Sequence, residues 1–231
     1  MEEYKYPVFI YVPEKYQPTK KYPLIISLPA KDESVEMHIK SWAKLGTRKS
    51  LIILVPTTQS RESDVPYRLD RWLLDLKEDV MKRYQVNPAR IYLVGNGDNA
   101  HYAAYLGVQF PEEFSAVGLL GGSWVGPFGK IMNLNTRPSR QIPFYVSLRA
   151  DDIQLVEQTE KMAYEFQEKG YPVYLEKLDE KEDLDSSKTK TRMLAWLDEK
   201  SQQWISVVEE SKKTFKEKLY EGIDNLITET S

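Results

Sequence analysis

The stretch Ile91–Gly122, IYLVGNGDNAHYAAYLGVQFPEEFSAVGLLGG, decides the architecture. It opens on a short apolar run, turns sharply at Gly95-Asn96-Gly97, continues as a helical pattern and ends in a second apolar run at Ala116–Leu120. Strand, glycine turn, helix and strand in that order make one right-handed βαβ unit. The unit repeats outward in both directions. Leu24–Leu28 (LIISL) and Leu51–Val55 (LIILV) are continuous apolar runs, suited to strands covered on both faces of a parallel sheet. Phe144–Leu148 and Val173–Leu178 extend the series, and Val8–Val12, followed by Pro13 and Pro18, reads as an edge strand.

Helical patterns fill the gaps. Ser34–Leu45 is one, and Leu69–Tyr84 places Leu69, Trp72, Leu73, Leu76 and Val80 on one face. Asp98–Gln109 follows the glycine turn, and Leu155–Lys169 stops at Gly170. The alternation predicts a doubly wound, mostly parallel α/β sheet. Beyond Lys188 there is no proline and one glycine, Gly222. Met193, Leu194, Trp196 and Leu197 mark a helix that closes the sheet. Trp204, Val208, Phe215, Leu219, Ile223 and Leu226 then mark a second, amphipathic helix at the C-terminus. The expected division is a domain over 1–200 and a helical extension over 201–231. The extension is read as folded back on its own domain, with docking to a protein partner as the alternative.

Bulk composition narrows the function. The 231 residues carry 32 Lys and Arg against 35 Asp and Glu, a net charge of -3, so nothing resembles the basic footprint of a nucleic-acid binder. The absence of cysteine removes disulfides, thiolate catalysis and Cys-ligated zinc. No apolar stretch reaches the ~20 residues of a membrane helix. The start of the chain lacks a basic segment followed by an apolar run, so the expectation is a cytoplasmic protein that engages neither membrane nor nucleic acid. No metal motif of fixed spacing is present. A cluster of Asp151, Asp152, Asp179, Glu182 and Asp183 around a hard cation is the metal alternative, weighed against an ordinary solvated loop. No metal and no cofactor are expected.

The turn at Gly95–Asn99 resembles the nucleophile elbow of the α/β-hydrolases, G-x-S-x-G. Other landmarks of the esterase branch of that family, the feruloyl-esterase and depolymerase type, can be followed from about Tyr6 to about Trp196. Tyr22–Leu28 is similar to the strand entering the oxyanion loop, although it leads into Pro29-Ala30 where those enzymes have a His-Gly pair. Asn87-Pro88-Ala89-Arg90 resembles the lead-in to the elbow, and Phe110-Pro111-Glu112-Glu113-Phe114-Ser115-Ala116-Val117 resembles the return to the next strand. The resemblance implies an α/β-hydrolase sheet carrying an extra C-terminal amphipathic helix.

The same resemblance makes the site conspicuous for what it lacks. The nucleophile position holds Gly97. Asp151 stands about where the catalytic acid belongs, with Asp152 beside it, and the segment that should supply the histidine reads Asp179-Glu180-Lys181-Glu182-Asp183. The vestigial positions are therefore Gly97, Asp151 and Glu182. Serine and histidine act as a unit, so losing both removes acyl transfer outright. Asp98, after the elbow, places a carboxylate where negative charge would develop on a bound carbonyl, and Asn99 replaces the closing glycine. The implied protein is a non-catalytic pseudo-hydrolase acting in binding of a small ligand or in protein assembly. The alternative is a weak or unconventional serine-type carboxylic-ester hydrolase using substitutes drawn from Ser123, His38 and His101, for example Ser123–His38–Asp151. Against it stands the plainer reading of His38 as a surface histidine and Ser123 as a loop serine. The crevice at the C-terminal strand ends is expected to persist as a pocket, with Pro29, Ala30, Asn96, Asp98 and Trp124 as its candidate lining and Trp42, Tyr67 and Trp72 as further aromatic candidates.

Overall fold

The computed structural model describes residues 8–31, 33–57 and 66–229, with side chains over 8–31, 33–57 and 70–216. Seven strands form one sheet: β1 (Val8–Tyr11), β2 (Tyr22–Leu28), β3 (Ile52–Pro56), β4 (Val86–Asn96), β5 (Ala116–Leu120), β6 (Phe144–Arg149) and β7 (Val173–Leu178). Their spatial order is β1-β3-β2-β4-β5-β6-β7. Only β1 runs antiparallel, paired to β3 at the sheet edge; the remaining neighbours are parallel. Five helices cover the faces: α1 (Val35–Lys49), α2 (Pro66–Arg83), α3 (Ala100–Gln109), α4 (Ile153–Glu168) and α5 (Ser187–Glu229).

The apolar runs of β2 and β3 work as expected because both faces are covered. Leu24, Ile26 and Leu28 point into a core shared with α2 and α3, where Leu73, Leu76, Ala103 and Leu106 pack. Ile25 and Ile53 point to the other face, against Trp42 and Leu45 of α1 and Met193, Leu194 and Leu197 of α5. β5 approaches α5 closely because Gly118 has no side chain, and a Cβ there would collide with Met193. β4 starts five residues earlier than its apolar run. Its pairing with β2 is irregular between Tyr22 and Leu24, opposite the stretch that holds Pro88, whose missing N–H cannot join a ladder.

The C-terminal segment differs from expectation. The sheet-closing helix and the amphipathic helix are one unbroken element of 43 residues, about 65 Å long at 1.5 Å per residue. With no proline or glycine before Gly222, nothing in the sequence stops it. The boundary expected at 200/201 falls inside this helix. Trp204 packs into the core and its indole N–H donates to the Pro138 carbonyl at 3.1 Å. Val208 also touches the core, whereas every residue from Glu209 to Lys216 is exposed, Phe215 included.

Candidate functional site

β4 ends at Asn96, and the chain passes through Gly97 at φ +50° into a 3-10 turn, Gly97–Asn99, and then α3. That left-handed value is open to glycine without strain. A Cβ at this position would lie 3.1 Å from the Ala30 Cβ, so the loop after β2 sits directly on the elbow. Side chains of the elbow bind that loop. Asn99 Nδ2 donates to the Pro29 carbonyl at 2.6 Å, and Asn96 Nδ2 donates to the Leu28 carbonyl at 2.9 Å and to Ser27 Oγ at 3.3 Å.

Beneath this joint runs a buried relay absent from the sequence reading. Ser27 Oγ lies 2.8 Å from His38 Nε2, and His38 Nδ1 lies 2.8 Å from Glu33 Oε2. Ser27 and His38 are fully buried. Burial alone would raise the Glu33 carboxyl, but the hydrogen bond and charge of His38, the Ala30 N–H and nearby Lys190 together hold it below the usual carboxylate range. His38 thus bridges the two, one ring nitrogen on Ser27 Oγ and the other on Glu33. Glu33 also accepts the Ala30 N–H at 3.3 Å. In working hydrolases one oxyanion donor comes from this loop and one from the residue after the nucleophile. Here the loop N–H is taken by a carboxylate, and the residue after Gly97 is the exposed Asp98.

The remaining candidates are scattered. His38 is the chief correction: it is a core residue, because α1 turns it under the sheet toward Ser27 and Glu33. Ser123 is buried as well, accepting from Thr159 Oγ1 at 2.8 Å and from the Val125 N–H at 3.1 Å. The structure therefore does not bring Ser123, His38 and Asp151 together. Asp151 is exposed and accepts from Arg149 Nε at 3.0 Å and Nη2 at 3.1 Å, which holds its carboxyl low. Asp152 caps α4 through the Leu155 N–H. Glu182 pairs with Lys188 at 3.0 Å and Arg192 at 3.2 Å, and the Lys188 bond leads in lowering its pKa.

His101 stacks on Phe128 with ring centroids 5.3 Å apart, while the Gly126 backbone covers its ring. Burial lowers its pKa against the opposing charge of Asp98, and its Nδ1 has no hydrogen-bond partner among the described residues. Trp124 is fully buried between Phe144 and Phe166, so it belongs to the core and not to a crevice wall. Trp42 is also core, with Lys190 Nζ 4.7 Å above its ring. Trp72 packs partly buried on α2, and the Tyr67 side chain lies outside the described residues. Of the expected crevice lining, Pro29, Asn96 and Trp124 are buried, while Ala30 and Asp98 reach solvent, as does Gly97 beside them. Among the described residues no group of three acids or histidines is arranged around a cation position.

Ser27 and Glu33 were missed, although a signal existed. Ser27 is the lone polar residue inside LIISL, and Glu33 and His38 straddle the N-cap Ser34, five positions apart.

No family model matches the chain, and no curated protein matches it. Solved structures do. A thermostable esterase aligns over 84% of this chain with a TM-score of 0.59 and 19% identity, and this chain spans 58% of that esterase's length. A fungal esterase from Rhizomucor miehei aligns over 85% of this chain and 80% of its own, with a TM-score of 0.65 and 12% identity. The thermophilic carboxylesterase EstE1, cloned from a metagenomic library, covers 85% of this chain and 84% of its own at a TM-score of 0.59 and 13% identity. The chain has the α/β-hydrolase fold of these esterases.

Proposed function

We propose that this protein is a non-catalytic member of the α/β-hydrolase fold whose work is binding or assembly. One observation carries the reading: the Ala30 N–H, in the loop that would supply an oxyanion donor, is hydrogen-bonded to the Glu33 carboxylate. A carbonyl developing negative charge at the elbow would meet an occupied donor, the Glu33 charge beside it and the Asp98 carboxylate nearby. Electrostatic stabilisation of the oxyanion is commonly the largest catalytic term, and here its sign is reversed. Gly97 supports the reading from the side of the nucleophile. For assembly, the support is the exposed helical stretch Glu209–Lys216 with Phe215 on its surface.

A second reading, a weak or unconventional carboxylic-ester hydrolase, is favoured by the Ser27–His38–Glu33 relay, whose two 2.8 Å contacts match the nucleophile–base–acid spacing of a triad. Its difficulty is access, since the Ser27 side chain has no solvent-exposed surface. Turnover of short-chain p-nitrophenyl esters separates the two. The expected rate equals buffer for the unmutated protein, Ser27→Ala and His38→Ala alike. Turnover lost in both variants would establish the relay as an opened triad and overturn the non-catalytic reading. For assembly, light scattering of the full chain against a chain ending at Val208 shows whether the helix sets the particle size.

A further inference from the structure

We infer that a groove between the end of α1 and the start of α5 binds a small polyanion bearing phosphate groups. Lys44, Arg48 and Lys49 line it from α1, and Ser187, Lys188, Thr191 and Arg192 from α5, around a space of about 650 Å³. That volume suits a metabolite rather than a single ion. Five of the seven lining side chains are cationic in a chain whose net charge is -3, so the clustering is local and not a by-product of a basic protein.

The acids do not neutralise it. Glu182 pairs with Lys188 and Arg192, and Glu176 pairs with Arg192. Lys44, Arg48 and Lys49 have no carboxylate partner among the described residues. Arg48 instead turns its Nη2 to neutral hydroxyls, Thr191 Oγ1 at 2.7 Å and Ser187 Oγ at 3.4 Å, which fixes the guanidinium across the groove with its charge unopposed. Cations held this close repel one another, and an anion between them relieves that repulsion. A pair of phosphate groups offers several acceptor oxygens and enough charge to answer three free cations. The lining contains no aromatic or aliphatic side chain, so recognition rests on charge and hydroxyl contacts and not on stacking a ring. The ligand class is therefore a small molecule bearing two phosphate groups, with pyrophosphate as its smallest member and a sugar bisphosphate as an organic one. The inference is independent of whether the elbow is catalytic.

The test is calorimetric titration of the full chain with pyrophosphate and with fructose 1,6-bisphosphate, at low salt, with sodium sulfate as the control. One saturable site is expected for at least one phosphate probe and none for sulfate. Lys44→Ala/Lys49→Ala should weaken binding at least roughly tenfold, the loss of one charge-assisted contact. Arg48→Gln should do the same, and Lys82→Ala/Arg83→Ala on α2 should leave it unchanged. The Lys44/Lys49 pair is the safeguard, since these exposed side chains can be removed without disturbing packing. No saturable heat with either phosphate probe, equal binding of sulfate, or binding indifferent to the α1 variants would overturn the proposal. Fructose 1,6-bisphosphate binding much tighter than pyrophosphate would assign the site to the organic ligand; equal binding would assign it to the diphosphate charge alone.

Discussion

Replacing Gly97 with serine supplies the residue type a hydrolase elbow requires and tests whether anything around it can use a hydroxyl. The substitution has a structural cost that can be worked out beforehand. Gly97 sits at φ +50°, and holding a non-glycine residue there costs about 1–3 kcal/mol. Its Cβ would also stand 3.1 Å from the Ala30 Cβ, closer than ordinary van der Waals contact, so Ala30 must yield by a few tenths of an ångström. For a chain of this size each kcal/mol moves Tm by roughly 2–4 °C, so a fall of about 2–12 °C is expected. Activity should not follow. His38 Nε2 is already engaged with Ser27 Oγ at 2.8 Å, and the His101 ring is stacked on Phe128 and covered by Gly126. Without a base the hydroxyl stays protonated, and the Ala30 N–H remains with Glu33. The assay is p-nitrophenyl acetate turnover beside a thermal melt. Turnover at least about a hundredfold above the unmutated protein, abolished again by His101→Ala or His38→Ala, would refute the reasoning.

Further outcomes follow from the buried polar groups. Ser27→Ala leaves His38 Nε2 without its partner and should cost about 1–3 kcal/mol in urea unfolding, whereas a neutral result would mean that the relay contributes nothing. His38→Ala orphans both Ser27 and Glu33 and opens a cavity, so its loss should exceed that of Ser27→Ala. Asp70 is buried on α2, which raises its carboxyl above the usual range despite hydrogen bonds from Tyr102 and Tyr105. Asp70→Asn keeps an acceptor for Tyr102 and removes the buried charge, so Tm at pH 7 should rise; a fall would show that the charge is needed. The Tyr92 phenol is pushed up to about 12 from 10.0, by burial first and by its hydrogen bond to Asp198 second. A raised folded value means stability that is complete below pH 10 and lost as pH climbs through 12. That loss is on the order of 2–3 kcal/mol, and Tyr92→Phe should remove the Tyr92 part of the alkaline decline.

Most of the scaffold could be read from residues because each strand announced itself locally. β2, β3, β5 and β6 are apolar on both faces, and the glycine turn after β4 stands at the expected place. What the pattern could not give was contact across distance. The plainer sequence reading of His38 is a surface histidine, and nothing local to it argues otherwise. Only the packing of α1 on β2 reveals that its ring meets Ser27 eleven positions earlier. Trp124 followed a strand expected to open on the crevice, but its ring fills the gap between Phe144 and Phe166. Two helices were expected where one exists, since periodicity reports which face is apolar and not whether the axis is continuous. The basic groove escaped notice for the same reason: Arg48 and Thr191 are 143 positions apart in the chain.

The position of the relay explains how the turn at Gly97 holds its shape. In an active hydrolase the loop after the first central strand must leave its N–H groups facing empty space, ready for a charge that exists only in the transition state. That arrangement leaves donors unsatisfied and is costly to fold. Here the Ala30 N–H has an internal acceptor, and side chains hold the carbonyls of the same loop. Asn99 holds Pro29, Asn96 holds Leu28 and Ser27, Glu33 takes the Ala30 N–H, and His38 ties Glu33 back to Ser27. Asn96, Ser27, His38 and Glu33 form one continuous hydrogen-bonded chain from the end of β4 through β2 to α1, and Asn99 fastens the loop separately, so the turn at Gly97 and the loop after β2 make one joint. Satisfied polar groups of this kind favour rigidity and oppose the unpaired donors that chemistry requires. On the non-catalytic reading, Glu33→Ala releases the Ala30 N–H and lowers stability without producing esterase activity. If freeing that donor together with Gly97→Ser does produce histidine-dependent turnover, the joint is a lock on a competent site, and the reading of this elbow as non-catalytic fails.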